Sequence, residues 1–103
     1  MSISTHVLDT AVGRPVRGMA VRLASGDGDV VADRVTDADG RVPDLAGDLP
    51  AGVYRLTFDV AGSAGEDAFY PEVVVAFRIT DPAAHVHVPL ALSPFAYSTY
   101  RGS

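Results

Sequence analysis

Val53-Tyr54-Arg55-Leu56-Thr57-Phe58-Asp59-Val60 is the stretch that decides the fold. Tyr54, Leu56, Phe58 and Val60 share one face while Arg55, Thr57 and Asp59 share the other, the alternation of a strand with one side in a core and one in water. The pattern repeats outward from there. Met19, Val21 and Leu23 alternate with Ala20, Arg22 and Ala24, and Val73, Val75, Phe77 and Ile79 alternate with Val74, Ala76, Arg78 and Thr80. Shorter strands are expected over Ile3–Leu8, Asp29–Thr36, His85–Leu92 and Phe95–Arg101, with turns at Ser25-Gly26-Asp27-Gly28, Asp37-Ala38-Asp39-Gly40 and Leu49-Pro50-Ala51-Gly52. Long helical periodicity is absent, and one short helix is expected over Ala61–Ala68, where Ser63 followed three residues later by Glu66 matches a capping-box start. Roughly seven or eight short strands punctuated by turns imply an all-β fold, a two-sheet antiparallel β-sandwich with one short helix.

Composition bounds what such a sandwich can do. With 103 residues the chain is expected to be a single domain over residues 1–103. A catalytic pocket of roughly 300–1,000 Å³ would hollow out much of so small a core, so a small-molecule site is expected to be shallow or shared between subunits. Cysteine is absent, as are Trp, Lys, Asn and Gln. That excludes a disulfide scaffold, a thiolate nucleophile and cysteine-type zinc sites. A net charge of −5, with all eight cations being arginines spread singly, argues against nucleic-acid binding. No apolar run approaches the ~20 residues of a membrane helix, and the start MSISTHVLDT has neither a basic region nor an apolar core to serve as a secretion signal. The expected location is cytoplasmic, with no membrane partner.

Chemistry concentrates in His85-Val86-His87-Val88-Pro89-Leu90-Ala91-Leu92. Strand period turns Val86, Val88, Leu90 and Leu92 toward the core and leaves His85 and His87 together on the opposite face, open to solvent, a metal or a neighbouring subunit. A His-x-His metal site would need a third ligand with support behind it, and none stands nearby in sequence, so no metal or cofactor is expected. Asp37-x-Asp39-Gly40 resembles the start of a calcium loop. Placing Gly40 at the loop glycine puts Val35 at the first ligand position and Ala46 where the bidentate glutamate belongs, which excludes it. An Asx-type turn that launches a strand at Arg41 is the better account. His6 alternates with Ser4 and Leu8 in the first strand, and the sequence ends on the polar, aromatic run Phe95-Ala96-Tyr97-Ser98-Thr99-Tyr100-Arg101-Gly102-Ser103.

Five segments in register resemble one family. They are Ser4-Thr5-His6-Val7-Leu8-Asp9-Thr10 with Gly13-Arg14-Pro15, Thr36-Asp37-Ala38-Asp39-Gly40-Arg41, Phe69-Tyr70-Pro71-Glu72-Val73, His85-Val86-His87-Val88-Pro89-Leu90, and Ser93-Pro94 through Ser103. Together they are similar to the 5-hydroxyisourate hydrolases, transthyretin-related proteins of urate breakdown. The closing Tyr100-Arg101-Gly102-Ser103 resembles the tetrapeptide that marks the hydrolases and is absent from transthyretin, the hormone carrier of the same fold. Val16, Asp37, Val86 and Ala96 depart from the family pattern, none at a position the resemblance assigns to chemistry.

The resemblance implies a transthyretin-like (prealbumin-like) sandwich assembled as a homotetramer, a dimer of dimers, with sites at the dimer–dimer interface. It implies a small-molecule substrate, with His6, Arg41, His87 and Ser103 as catalytic residues and Tyr100 and Arg101 as substrate-binding residues; His85 matches the first histidine of the motif without a catalytic assignment. The implied reaction adds water to an acyl carbon of the six-membered ring and releases a ring nitrogen, which needs a base, donors for an oxyanion and a proton for the leaving nitrogen. Either His6 or His87 suits the base, with His87 favoured for its place on a strand. Arg41 is the cation for the oxygens, Arg101 a second one or an anchor for the tail, and Tyr100 and Ser103 supply hydrogen bonds to the heterocycle or the imidazoles. The competing functions are a non-catalytic transthyretin-like small-ligand carrier and an adhesion or structural sandwich.

Overall fold

The computed structural model describes residues 2–103. Its elements in chain order are β1 (Ser2–Asp9), β2 (Arg14–Pro15), β3 (Ala20–Ser25), β4 (Val30–Val35), β5 (Arg41–Gly47), β6 (Gly52–Asp59), α1 (Val60–Ala64), β7 (Glu72–Ile79), β8 (Val86–His87), β9 (Leu90–Ser93) and β10 (Ala96–Thr99). They form two sheets. One runs β4-β3-β6-β7, antiparallel throughout. The other is built around β1, which pairs antiparallel with β5 and β2 and parallel with β8 and β9, and β10 closes that sheet beyond β9. Among the described residues no helix is long and apolar enough to cross a membrane.

The core lies between the sheets and is in large part the set that alternation selects, although Val75 and Phe77 on the inward face of β7 are only partly buried. Tyr54, Leu56, Phe58 and Val60 are buried, as are Met19, Val21 and Leu23 from β3 and its approach. Val73 and Ile79 close it from β7, and Ile3, Val7, Val42, Leu45, Val86, Val88, Leu90 and Leu92 supply the opposing layer. Inward Thr5 is fully buried, and its hydroxyl donates to the Val88 carbonyl at 2.6 Å, so burying that polar side chain costs little.

The two-sheet sandwich is as the alternation implies, and four local features differ from the expectations. The pairing is not wholly antiparallel, because β1 runs alongside β8 and β9. The expected strand His85–Leu92 breaks into β8 and β9 at Val88-Pro89, where proline has no N–H to give a ladder. Val60 is buried as expected, yet it is the first residue of α1 rather than the last of a strand. The helix spans Val60–Ala64 rather than Ala61–Ala68; Asp59 caps it by accepting the Gly62 N–H at 3.0 Å, so Ser63 sits inside the helix and Glu66 beyond it.

Two strands had no alternation to announce them. In β2 only Arg14 and Pro15 pair with β1. In β5 the buried residues Val42 and Leu45 are three apart, because the four-residue step from Val42 to Ala46 spans the two-residue step from Thr5 to Ile3. A bulge of this kind erases the period of two.

Candidate active site

Strand register alone gathers the polar residues of the second sheet onto its outer face. Ile3, Thr5 and Val7 of β1 enter the core, so Ser4 and His6 point away from it. The β1–β5 register sets His6 opposite Arg41, and the parallel β1–β8 register sets Ser4 beside His87. Residues opposed across a ladder share a face. His6, Arg41 and His87 therefore stand on one side of the sheet, on three different strands.

Arg41 is presented by the turn before it. Asp37 Oδ1 accepts the backbone N–H of both Asp39 and Arg41, each at 2.9 Å, and the Gly40 N–H donates to the Asp37 carbonyl at 2.9 Å. This is the Asx-type turn expected from the sequence. Gly40 holds φ at +73°, and a Cβ there would collide with the Val7 carbonyl oxygen and Pro15, so glycine is required both for conformation and for space. The Gly40 carbonyl in turn accepts the Val7 N–H at 2.8 Å, locking the turn to β1.

His6 is fixed by the same turn, its Nε2 lying 2.9 Å from the Asp39 carbonyl oxygen. A carbonyl only accepts, so Nε2 carries the proton and neutral His6 keeps its lone pair on Nδ1. His87 differs. Its Nδ1 lies 2.7 Å from the Ser4 hydroxyl, and the ring is half-buried. Burial lowers its pKa from the ordinary histidine value, reinforced by the positive charge of Arg41 and by His85 and His6, against a smaller opposing pull from the Ser4 backbone. The imidazole is thereby held neutral near pH 7, the form a general base needs.

The C-terminal tail closes one side. Gly102 pairs with His87, its N–H donating to the His87 carbonyl at 2.9 Å, and any Cβ on Gly102 would strike the His87 ring. Ser103 then lines an open hollow of about 290 Å³ together with Ser4, Arg41, His85 and His87. Arg41 also lines the adjoining hollow that holds His6. Tyr100 and Arg101 do not reach either one. They line a separate groove with Phe77, Arg78, Val86 and Val88, since alternation about Gly102 turns Arg101 to the face opposite His87. The site is thus shallow and open, in keeping with the size argument.

Sequence reasoning passed over Ser4, whose hydroxyl touches both His87 and His85. The available signal was its place two residues before His6 on the same face. His85, expected to share the His87 face, does so and is engaged by serines on both ring nitrogens.

Residues 3–102 match the model of the HIUase/Transthyretin family. The chain belongs to that family. A 5-hydroxyisourate hydrolase of Deinococcus radiodurans is 42% identical over 98% of this chain and 95% of its own length. Among solved structures, Klebsiella pneumoniae 5-hydroxyisourate hydrolase superposes with a TM-score of 0.88 at 34% identity, covering 99% of this chain and 98% of that one. Sea bream transthyretin in complex with thyroxine gives the same TM-score, 0.88, at 30% identity, covering 99% and 95%. The HIUase/Transthyretin sandwich therefore houses more than one function, and the side chains on the outer face of β1 have to decide between them.

Proposed function

We propose that this chain hydrolyses 5-hydroxyisourate, opening the six-membered ring to 2-oxo-4-hydroxy-4-carboxy-5-ureidoimidazoline in the breakdown of urate toward allantoin. The observation that carries the reading is the meeting of His6, Arg41, His87 and Ser103 around adjoining open hollows on one sheet face. A carrier of an apolar ligand has no use for two imidazoles and a guanidinium there.

His87 is the base. Its Nε2 has no protein partner among the described hydrogen bonds and its ring lines the hollow shared with Arg41 and Ser103, while His6 is tied to the Asp39 carbonyl and lines the adjoining one. The neutral His87 ring takes a proton from water as the oxygen attacks the acyl carbon, and returns it to the ring nitrogen as the C–N bond breaks. The products are a ureido N–H and a carboxylic acid, which gives the second proton of the water to solvent as it ionises to the carboxylate. Arg41 forms no ion pair among the described residues, the pair there being Arg22–Asp33, so its guanidinium is free to receive the developing oxyanion. With no Asn or Gln in the chain, Arg41 and backbone N–H groups are the donors for that oxygen. His6 orients water or substrate, and Ser103, which lines the hollow with His87, supplies a hydrogen bond to the heterocycle.

Tyr100 and Arg101 bind substrate only if subunits assemble, which a homotetramer built as a dimer of dimers would provide, with the shallow hollows facing one another. Two features support such assembly: β7 and β10 end their sheets with unpaired edges, and Phe95 and Tyr100 are exposed. Generating 5-hydroxyisourate from urate with a uricase and following its decay tests the function. The protein should accelerate decay well beyond the spontaneous rate; decay at the spontaneous rate would leave the small-ligand carrier.

A further inference from the structure

Ser2, His85, Ser4 and His87 form an unbroken line of hydrogen bonds along the β1–β8 boundary. Ser2 Oγ lies 2.7 Å from His85 Nδ1, Ser4 Oγ 3.1 Å from His85 Nε2, and Ser4 Oγ 2.7 Å from His87 Nδ1. We infer that Ser4 and His85 are positioning residues that form a proton relay behind His87, coupling its tautomer to that of His85. This rests on the hydrolase reading above.

The coupling follows from proton counting. A serine hydroxyl has one proton, so it can donate to only one of the two rings. Were it to accept from both, its own proton would lie unpaired on a side chain that is only 7% exposed, a costly arrangement. One ring therefore donates to Ser4 and the other accepts from it. In the resting setting, His87 Nδ1–H donates to Ser4, the Ser4 hydroxyl donates to His85 Nε2, and His85 Nδ1–H donates to Ser2. That leaves the lone pair of His87 on Nε2, the form required of the base.

When water is deprotonated, its proton joins His87 Nε2. The Nδ1 proton of His87 moves to Ser4 as the Ser4 proton moves to His85 Nε2. His87 remains neutral with Nε2–H ready for the leaving nitrogen, and His85 becomes the imidazolium. Protonation of the leaving nitrogen reverses both transfers, so nothing is consumed.

Charge placement gives the relay its value. His87 is faced by His6 on β1, Arg41 on β5, His85 from its own segment and Ser103 from the tail, so a cation on His87 meets Arg41 at close quarters. Along β1, Arg41 is level with His6, His87 with Ser4 and His85 with Ser2, so His85 stands one step of the pleat farther from Arg41 than His87 does. His85 is also exposed to solvent. Moving the charge outward relieves repulsion at the moment the substrate oxygen needs Arg41.

Nitrogen-15 NMR of the ligand-free protein reads the tautomer directly. His87 should carry its proton on Nδ1, and Ser4→Ala should shift it toward Nε2–H. In turnover, Ser4→Ala and His85→Phe should each lower kcat about tenfold or more with KM within about threefold. The double variant should fall no further, and Ser4→Thr, which keeps the hydroxyl, should recover most of the rate. An Nε2–H tautomer in the parent protein, a tautomer unmoved by Ser4→Ala, or additive losses in the double variant would overturn the relay. The NMR result stands whether or not the parent protein hydrolyses 5-hydroxyisourate, so failure of the relay and failure of the function are separable.

Discussion

The two faces of β1 divide the labour of the molecule. Ile3, Thr5 and Val7 are fully buried and hold the sheets together, whereas Ser4 and His6, their immediate neighbours, meet Arg41, His85 and His87 on the outside. One strand supplies both the core and the chemistry, and the period of two keeps them apart. A domain this small can therefore carry a polar site without hollowing out its interior.

The largest effect should come from the outer face. If the faces are functionally separate, His87→Asn lowers the ring-opening rate by about 10²–10⁴-fold while the thermal midpoint stays within about 4 °C of the parent. Turnover close to the parent's from this variant would remove His87 as the base. The inner face gives the mirror result: Ile3→Ala should cost about 2–5 kcal/mol in denaturant unfolding, with the turnover of the folded fraction preserved. A drop in intrinsic turnover there would mean that the core and the site are not independent.

The inner face was the more legible of the two from sequence. Alternation in Val53–Val60 and its neighbours picks out the buried residues directly, since each such strand has only to choose a side. It fails where an extra requirement intervenes: at the bulge that puts Val42 and Leu45 three apart, at Pro89, and at Asp59, whose side chain starts the helix before Ser63 can. On the outer face the same alternation places His85 with His87 and His6 with Ser4, and the family resemblance adds Arg41 and Ser103. It cannot say that Ser4 touches two histidines, because those contacts join residues 81 and 83 apart and depend on register between strands. Nor does it separate Arg101 from the histidine cluster, which follows from the pairing of Gly102 with His87.

Gly40 lies where the two faces meet, and a substitution there should damage both. Its carbonyl accepts from Val7, its positive φ turns the chain into Arg41, and a Cβ would collide with the Val7 oxygen. Gly40→Ala should cost about 1–3 kcal/mol of stability and reduce turnover together, because the backbone shift that relieves the clash displaces Arg41. Lost stability with unchanged turnover would show that the turn supports the fold alone.

The smallest effect concerns charge on the outer face only. Burial, and after it Arg41, lowers the His87 pKa below the ordinary value of 6.5. The folded ring thus releases its proton more readily than the unfolded one. The associated stability is fully present above the unfolded pKa and drains as pH falls through the lowered folded one. The base form persists over the same range, so the rate should hold down to a pH below 6.5 before its acid limb begins. Removing the guanidinium takes away one of the two leading causes and leaves burial in place. In Arg41→Ala the His87 titration followed by NMR should therefore move up toward the ordinary value without reaching it. A midpoint that stays put or moves down would mean that Arg41 does not act on His87 through its charge, and the case for exporting that charge to His85 would lose its electrostatic motive.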